Sequence, residues 1–325
     1  MQSWWMQMTE TDSVLERRDV PVPTPGPRQL LMRVRAASLN RGEFLHGGLH
    51  GKVGSWKAIG GEGAGEVAAV GSEVTGFAVG DRVMARCAGA FSEYALVDVA
   101  EAMKVPANLS WEQAASIPLT YLVAYDMLVL QGRLKAGEWL LINGVSSGVG
   151  VASLQLGKAL GAKVIGTSGS QEKLAALKPF GLDVALCTRK ADFGPAVMEA
   201  TAQKGVDLVI NTVGGTVFAE DVRVMAFEGR LATVGYVDGV VHADIDLEAL
   251  HARRLTLFGV SNKLRTKEQK AASVPRFVAE ILPHIAAGRV LPQVDRVFDF
   301  NEAQEAKARM EAGAHVGKIV LRMPA

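Results

Sequence analysis

The chain has 325 residues, 49% hydrophobic and 21% charged, which is the composition of a globular protein long enough for two domains and excludes disordered and collagen-like classes. Lys plus Arg is 35 and Asp plus Glu is 34, a formal charge of +1 that builds no polyanion-binding field, so nucleic acid is not an expected partner. Its two cysteines, Cys87 and Cys187, make neither a disulfide framework nor a Cys-rich zinc site and suit a reducing, cytoplasmic setting.

The opening MQSWWMQMTETDSVLERRDV lacks the basic cap, the continuous apolar core and the small-residue cleavage site of a secretory leader. Apolar stretches elsewhere, such as Leu154 to Leu160, fall short of the ~20 residues needed to cross a bilayer, so no membrane partner is expected. From about Leu30 to Val99, runs such as LLMRVRAASLN, GEGAGEVAAVG and DRVMARC are punctuated by Gly and Asp. This predicts a β-rich domain, a curled sheet or a partly open barrel.

From Glu138 the texture changes. Short apolar runs (WLLIN, AKVIGT, DVALC, VDLVINTV, GRLATVG, LTLFGV) alternate with helical segments, the rhythm of an α/β domain with a parallel sheet covered on both faces. After Lys267 come a helical stretch KEQKAASVPRFVAEILPHIAAG, an extended VFDF, a charged helix NEAQEAKARMEAG and a final strand KIVLRM. The chain ends are expected to build one domain, residues 1–122 plus 266–325, with residues 123–265 inserted as the other.

The sharpest motif is WLLINGVSSGVGVASLQLGKALGAKVIG, in which a strand enters Gly144, Val145, Ser146, Ser147, Gly148, Val149 and Gly150 and leaves as a helix. Such a turn brings backbone N–H groups to a pyrophosphate at the positive end of the helix; a Cβ at Gly148 would obstruct that approach, and one at Gly150 the packing of helix on strand. The spacing GxxxGxG departs from GxGxxG, so the flanking strand, helix and next strand carry the reading, against a tight turn that binds nothing. An acidic residue at the end of the second strand would grip a ribose 2′-hydroxyl. The segment instead offers Thr167, Ser168, Gly169, Ser170 and Lys173, small donors followed by a cation, which favours the 2′-phosphate of NADPH. Ser170 can cap a helix at the same time.

Taken in order, PVPTPGPRQLLMRVRAASLNRGEF, GGEGAGEVAAVGSEVTGFAVGDRVMA, SIPLTYLVAYDML, the glycine loop, GVDLVINTVGG, GRLATVGY and HVGKIVLRM resemble the medium-chain dehydrogenase/reductase superfamily, zinc-independent quinone oxidoreductase-like branch, over nearly the whole chain. The resemblance implies a Rossmann doubly wound parallel sheet inserted in a GroES-like β-rich catalytic domain, an active site between the domains, and a homodimer. Zinc-dependent relatives take ligands at positions matching Asn40, Gly61 and Leu119, none of which holds zinc in the usual way, and their structural-zinc lobe is missing. No metal is therefore expected.

By resemblance Asn40 lies beside nicotinamide and substrate, with a backbone-satisfying amide as its plain alternative; Arg41, His46 and His50 are weaker candidates to orient an oxygen or supply a proton. Val123 stands where many relatives carry a cofactor-contacting Thr, with Thr120 nearby, and a Tyr found near Leu45 in some relatives is lacking. Further implied cofactor contacts are Thr212, Gly235, Tyr236, Val260, Ser261, Asn262 and Lys318, the last with a surface strand charge as its alternative. Arg189 could take over a contact that relatives make with a Tyr at the place of Thr188. Cys187 reads as a core strand residue, and Trp4, Trp5 and Trp56 as packing or the wall of a cleft. The function implied is NADPH-dependent hydride transfer to a small quinone, enone or related carbonyl compound; an NADPH-binding regulatory protein without turnover is the alternative, and a zinc alcohol dehydrogenase a more distant one.

Overall fold

The structure is a computed structural model that describes residues 1–10, 12–44 and 53–324. The chain divides into two compact units, Met1–Leu122 with Thr266–Ala325, and Val123–Arg265. In chain order the first contributes β1 (Gln2–Met8), β2 (Ser13–Asp19), β3 (Gln29–Ser38), β4 (Trp56–Ala58), β5 (Glu62–Val70), β6 (Arg82–Arg86), β7 (Tyr94–Asp98), β8 (Met103–Lys104) and α1 (Trp111–Ala115), and α2 (Thr120–Tyr125) leads out of it.

The segment QSWWMQM is strand β1. It is the middle strand of a sheet ordered β2-β1-β4, and its period of two buries Trp4, Met6 and Met8 on one face. On the other, the Arg18 guanidinium lies 5.1 Å from the Trp5 ring and 4.3 Å from the Trp56 ring. These tryptophans pack.

The second unit runs β9 (Trp139–Asn143), α3 (Gly148–Ala159), β10 (Lys163–Ser168), α4 (Gln171–Leu177), β11 (Val184–Cys187), α5 (Gly194–Ala200), β12 (Val206–Asn211), α6 (Gly215–Val224), β13 (Met225–Thr233), α7 (Leu247–Ala252) and β14 (Thr256–Gly259). All six strands are parallel, in the order β11-β10-β9-β12-β13-β14. Counted from β9 this is 3-2-1-4-5-6, the Rossmann order, whose direction of winding reverses between β9 and β12. The central strands are apolar throughout because helices cover both faces: Leu140, Leu141, Ile142, Leu208, Val209 and Ile210 are fully buried. Cys187, expected in the core, is exposed, because β11 is the sheet's edge strand.

The chain then returns to the first unit through α8 (Lys267–Ala271), α9 (Val274–Glu280) and α10 (Leu282–Ala286), followed by β15 (Val294–Asp299), α11 (Ala303–Glu311) and β16 (Lys318–Arg322). The helical stretch after Lys267 is thus three short helices. Pro275 and Pro283 cannot donate to a preceding turn, so each opens a helix of its own. Strand β16 pairs antiparallel with β3, in a seven-stranded sheet ordered β15-β16-β3-β5-β6-β8 with β7 also on β3.

Candidate functional site

In an open parallel sheet, ligands bind beyond the carboxyl ends of the strands where the winding reverses. Here that point lies between Asn143, ending β9, and Asn211, ending β12. The turn after β9 begins with Gly144 at φ +75°, a left-handed conformation that favours glycine. Ser147 caps α3, its hydroxyl oxygen accepting from Gly150 N at 3.0 Å. Gly148 and Val149 open the helix, where backbone N–H groups have no intrahelical acceptor and the helix dipole is positive. A Cβ on Gly150 would stand 2.5 Å from Gly144 O and 2.7 Å from Val145 Cα, so this glycine is required by the fold of the turn itself, where the sequence suggests packing of helix on strand.

At the neighbouring end of β10, Ser146 Oγ and Ser168 Oγ lie 3.4 Å apart, both nearly buried. Ser170 caps α4 and accepts from Lys173 N at 3.3 Å. The Arg189 side chain lies against Gly169, where an added Cβ would stand 2.5 Å from its Cγ and 2.8 Å from its Cδ. Small residues and the Arg189 side chain therefore lie at this strand end, with Lys173 in the first turn of the helix that follows.

Thr212 follows β12, donates from Oγ1 to Asn143 O at 2.7 Å, and is 3.0 Å by its carbonyl oxygen from where a Cβ on Gly235 would stand. Tyr236 is exposed. Beyond β14, Val260 is buried, Ser261 Oγ accepts from Lys263 N, and Asn262 Oδ1 accepts from Arg265 Nη1. Of the residues named from sequence in this unit, Ser146 to Val149, Ser168 to Ser170, Thr212, Gly235, Tyr236 and Val260 to Asn262 thus follow carboxyl ends of the strands on one edge of the sheet. Val123 sits apart, half-buried on α2.

In the first unit a buried ionic network surrounds Asn40. Glu62 is wholly buried on β5. Its Oε1 accepts from Ser38 Oγ (2.6 Å), Asn40 Nδ2 (3.0 Å) and Lys318 Nζ (3.0 Å), and its Oε2 from Leu119 N (2.7 Å). Lys318 Nζ also donates to Leu39 O at 2.8 Å and Asn40 Oδ1 at 2.7 Å. An ammonium has three hydrogens, matched here by these three acceptors, and the surface-charge alternative for Lys318 fails because the side chain is buried. Asn40 also donates to Glu43 Oε1 at 3.1 Å, so its partners are side chains, not the backbone groups of its plain alternative. Arg41 is turned elsewhere, donating to Met310 O at the carboxyl end of α11. His46 and His50 lie outside the described residues.

Sequence reasoning missed Glu43 and Glu62; the only signal was that Glu62 directly follows Gly61 in the GGE triplet. Glu43 Oε1 also accepts from Gly61 N at 3.1 Å and stands 2.9 Å from where a Cβ on Gly61 would be, so a carboxylate fills this position. Among the described residues no group of three or more His, Cys, Asp and Glu is arranged to hold a metal ion. Burial pushes the Glu43 carboxyl up to about 7, against the Asn40 hydrogen bond and Lys318, which lower it, and its Oε2 has no hydrogen-bond partner. A carboxyl raised on folding contributes stability in full below the ordinary carboxylate range and loses it as pH rises through about 7. Glu43→Gln, always neutral, is therefore expected to melt above the wild type at about pH 8 and level with it at about pH 4, as thermal unfolding at the two pH values would record.

Comparison with known proteins bears on both groups of features. Residues 26–107 match the alcohol dehydrogenase GroES-like domain, and residues 148–276 the zinc-binding dehydrogenase family. A phenolphthiocerol/phthiocerol polyketide synthase of Mycobacterium tuberculosis is 33% identical over 92% of this chain, which spans only 14% of that protein's length. A solved mycobacterial quinone oxidoreductase is 30% identical, with a TM-score of 0.84 over 99% of both chains. Mycobacterial Rv1454c, solved in complex with NADPH, is 29% identical (TM-score 0.87, 99% of this chain and 100% of that one), and the CurK enoyl reductase 25% identical (TM-score 0.85, 100% of both). With a GroES-like β-rich unit, an inserted Rossmann sheet and relatives of this kind over its full span, the chain belongs to the medium-chain dehydrogenase/reductase superfamily.

Proposed function

We propose that the protein is an NADPH-dependent oxidoreductase that passes hydride to a quinone, enone or related activated carbonyl compound without using a metal. The observation that carries this reading is the glycine turn entering the amino end of α3 at the point where the sheet reverses its winding. The residues fit a dinucleotide: Gly150 keeps the turn tight, and Gly148 and Val149 offer backbone N–H groups to a pyrophosphate. Ser168, Ser170, Lys173 and Arg189 suit a 2′-phosphate, and the mycobacterial relative solved with NADPH supports the same choice. When bound, NADPH supplies the hydride, and a proton completes reduction of the acceptor.

Support for working without metal comes from Asn40, Gly61 and Leu119, whose own side chains bring no ligand where zinc-dependent relatives do, and from the Glu43 carboxyl beside Gly61, which is taken up by Asn40 and Gly61 N. The quinone oxidoreductase and enoyl reductase relatives support acceptors whose double bonds are already activated, which need little polarisation. Kinship also supports a homodimer, and the cysteine usage a cytoplasmic setting.

Lys173→Ala, and Arg189→Ala beside it, are each expected to weaken NADPH by about tenfold or more while leaving NADH within about twofold, because only NADPH carries the phosphate they meet. Equal losses for the two coenzymes, measured by fluorescence titration, would remove the basis for choosing NADPH. One observation favours the second reading, an NADPH-binding regulatory protein without turnover: Asn40 donates to two carboxylates, and all the hydrogens of Lys318 are engaged inside their own unit. A panel of quinones and conjugated enones, with and without a metal chelator, decides between them by the loss of NADPH absorbance. Consumption unaffected by chelation supports the enzyme; tight NADPH binding with no consumption supports the regulator.

A further inference from the structure

Asp221, on α6, is wholly buried and belongs to none of the motifs that suggested a dinucleotide site. One carboxylate oxygen accepts from Asn143 Nδ2, and the other accepts from Asn211 Nδ2 at 2.9 Å. Those two asparagines end β9 and β12, the strands on either side of the winding reversal. Each continues the connection outward. Asn143 Oδ1 accepts from Thr167 Oγ1 at 2.9 Å, and its backbone oxygen accepts from Thr212 Oγ1 at 2.7 Å. Asn211 Oδ1 accepts from Val213 N at 2.9 Å and Gly214 N at 2.8 Å, and its Nδ2 donates to Gly214 O at 3.0 Å.

A buried carboxylate is costly unless it is hydrogen-bonded. Burial drives the Asp221 carboxyl well above its ordinary range, the two amides pull it back, and neighbouring Glu220 adds to the rise. Glu220 is itself engaged, accepting from Gly194 N and pairing with Arg223. A hydrophobic residue would satisfy the core at position 221 with less penalty, but it would leave one buried amide hydrogen on each of Asn143 and Asn211 without an acceptor. What the carboxylate provides is a side-chain bridge between two strand ends that otherwise meet through the sheet ladder and the Thr212 Oγ1 hydrogen bond to Asn143 O.

We propose that Asp221 is a positioning residue for the dinucleotide: by holding Asn143 and Asn211 together it presets the Gly144–Val149 turn and the Thr212–Gly214 turn, the two sides of the pyrophosphate and nicotinamide-ribose half of the site. This rests on the cofactor reading above. The adenosine 2′-phosphate half, at the end of β10 with Ser168, Ser170, Lys173 and Arg189, meets the bridge at one remove, through Thr167 Oγ1 on Asn143 Oδ1, a hydrogen bond that Asp221 does not make. Asp221 should therefore govern affinity for the whole dinucleotide and leave affinity for its adenosine end alone, a split that general loosening of the unit would not produce.

The test measures, by calorimetry at one temperature, the binding of NADPH and of adenosine 2′-phosphate to wild type, Asp221→Ala and the exchange variant Asp221→Asn with Asn143→Asp, which spares the Asn211 hydrogen bond to Gly214 O and leaves Thr167 Oγ1 an oxygen to donate to. The exchange keeps one carboxylate and two amides in the bridge. Asp221→Ala is expected to weaken NADPH by about 30-fold and adenosine 2′-phosphate by less than about twofold, with the exchange variant recovering most of the loss. Equal weakening of both ligands, or unchanged NADPH affinity, would overturn the inference while leaving the cofactor reading intact. Should Asp221→Ala fail to fold, the exchange variant carries the test: near-wild-type NADPH affinity supports the bridge, and a loss shared by both ligands refutes it. Wild type that binds no NADPH would sink the cofactor reading, and the inference with it.

Discussion

Gly150→Val is expected to abolish coenzyme binding and to destabilise the second unit by about 2–3 kcal/mol. The added side chain meets backbone on every near side, with Gly144 O at 2.5 Å and Val145 C and Cα at 2.7 Å from the Cβ alone, so no rotamer relieves the clash. The first turn of α3 must move away from the turn after β9, which carries the N–H groups of Gly148 and Val149 out of register. Gly259→Ala is the matched control, since a Cβ there meets nothing within 4 Å, and its stability should stay within about 0.5 kcal/mol of wild type. Urea unfolding of both variants, with coenzyme titration of the folded fractions, checks the pair of outcomes.

Lys318→Met is expected to cost about 3–5 kcal/mol of stability, because it leaves the wholly buried Glu62 carboxylate with hydrogen bonds but no counter-charge. The loss exceeds that of a surface ion pair, whose worth is ~0–1 kcal/mol, since no water reaches Glu62 to screen it. Removing both charges, Lys318→Met with Glu62→Gln, should recover part of the loss, because the Ser38 and Asn40 donors still meet the amide oxygen, while Leu119 N, which met the other carboxylate oxygen, loses its acceptor. Denaturant midpoints for the single and double variants measure this coupling. A single variant as stable as the wild type would mean that the pair contributes nothing.

The six strands of the second unit are legible in the sequence because each is a short apolar run bounded by turn residues, and the β-α-β rhythm makes their sheet parallel, while the Rossmann arrangement is implied by the family resemblance. Other features depend on partners that sequence spacing hides. Lys318 reads as a charge on a terminal strand because Glu62, which buries it, lies 256 residues earlier. Asp221 looks like an ordinary polar helix residue because Asn143, which it joins to Asn211, is 78 residues away. The pairing of β1 with β2 is missed because the polar residues between them read as the interruption of an apolar run. Pro275 and Pro283 mark the breaks between α8, α9 and α10, a signal that a reading by helical texture alone runs past. In the candidate site, backbone-driven features such as the glycine turn and the Ser170 cap are readable; the side-chain networks beneath them are not.

We propose that the turn between β9 and α3 receives a coenzyme and prefers the phosphorylated one. Isothermal titration of the folded protein with NADPH and with NADH tests it most directly. Saturable heat with NADPH, at an affinity about tenfold or more above that for NADH, is the predicted result. Absence of heat with both coenzymes, on protein shown to be folded, would contradict it.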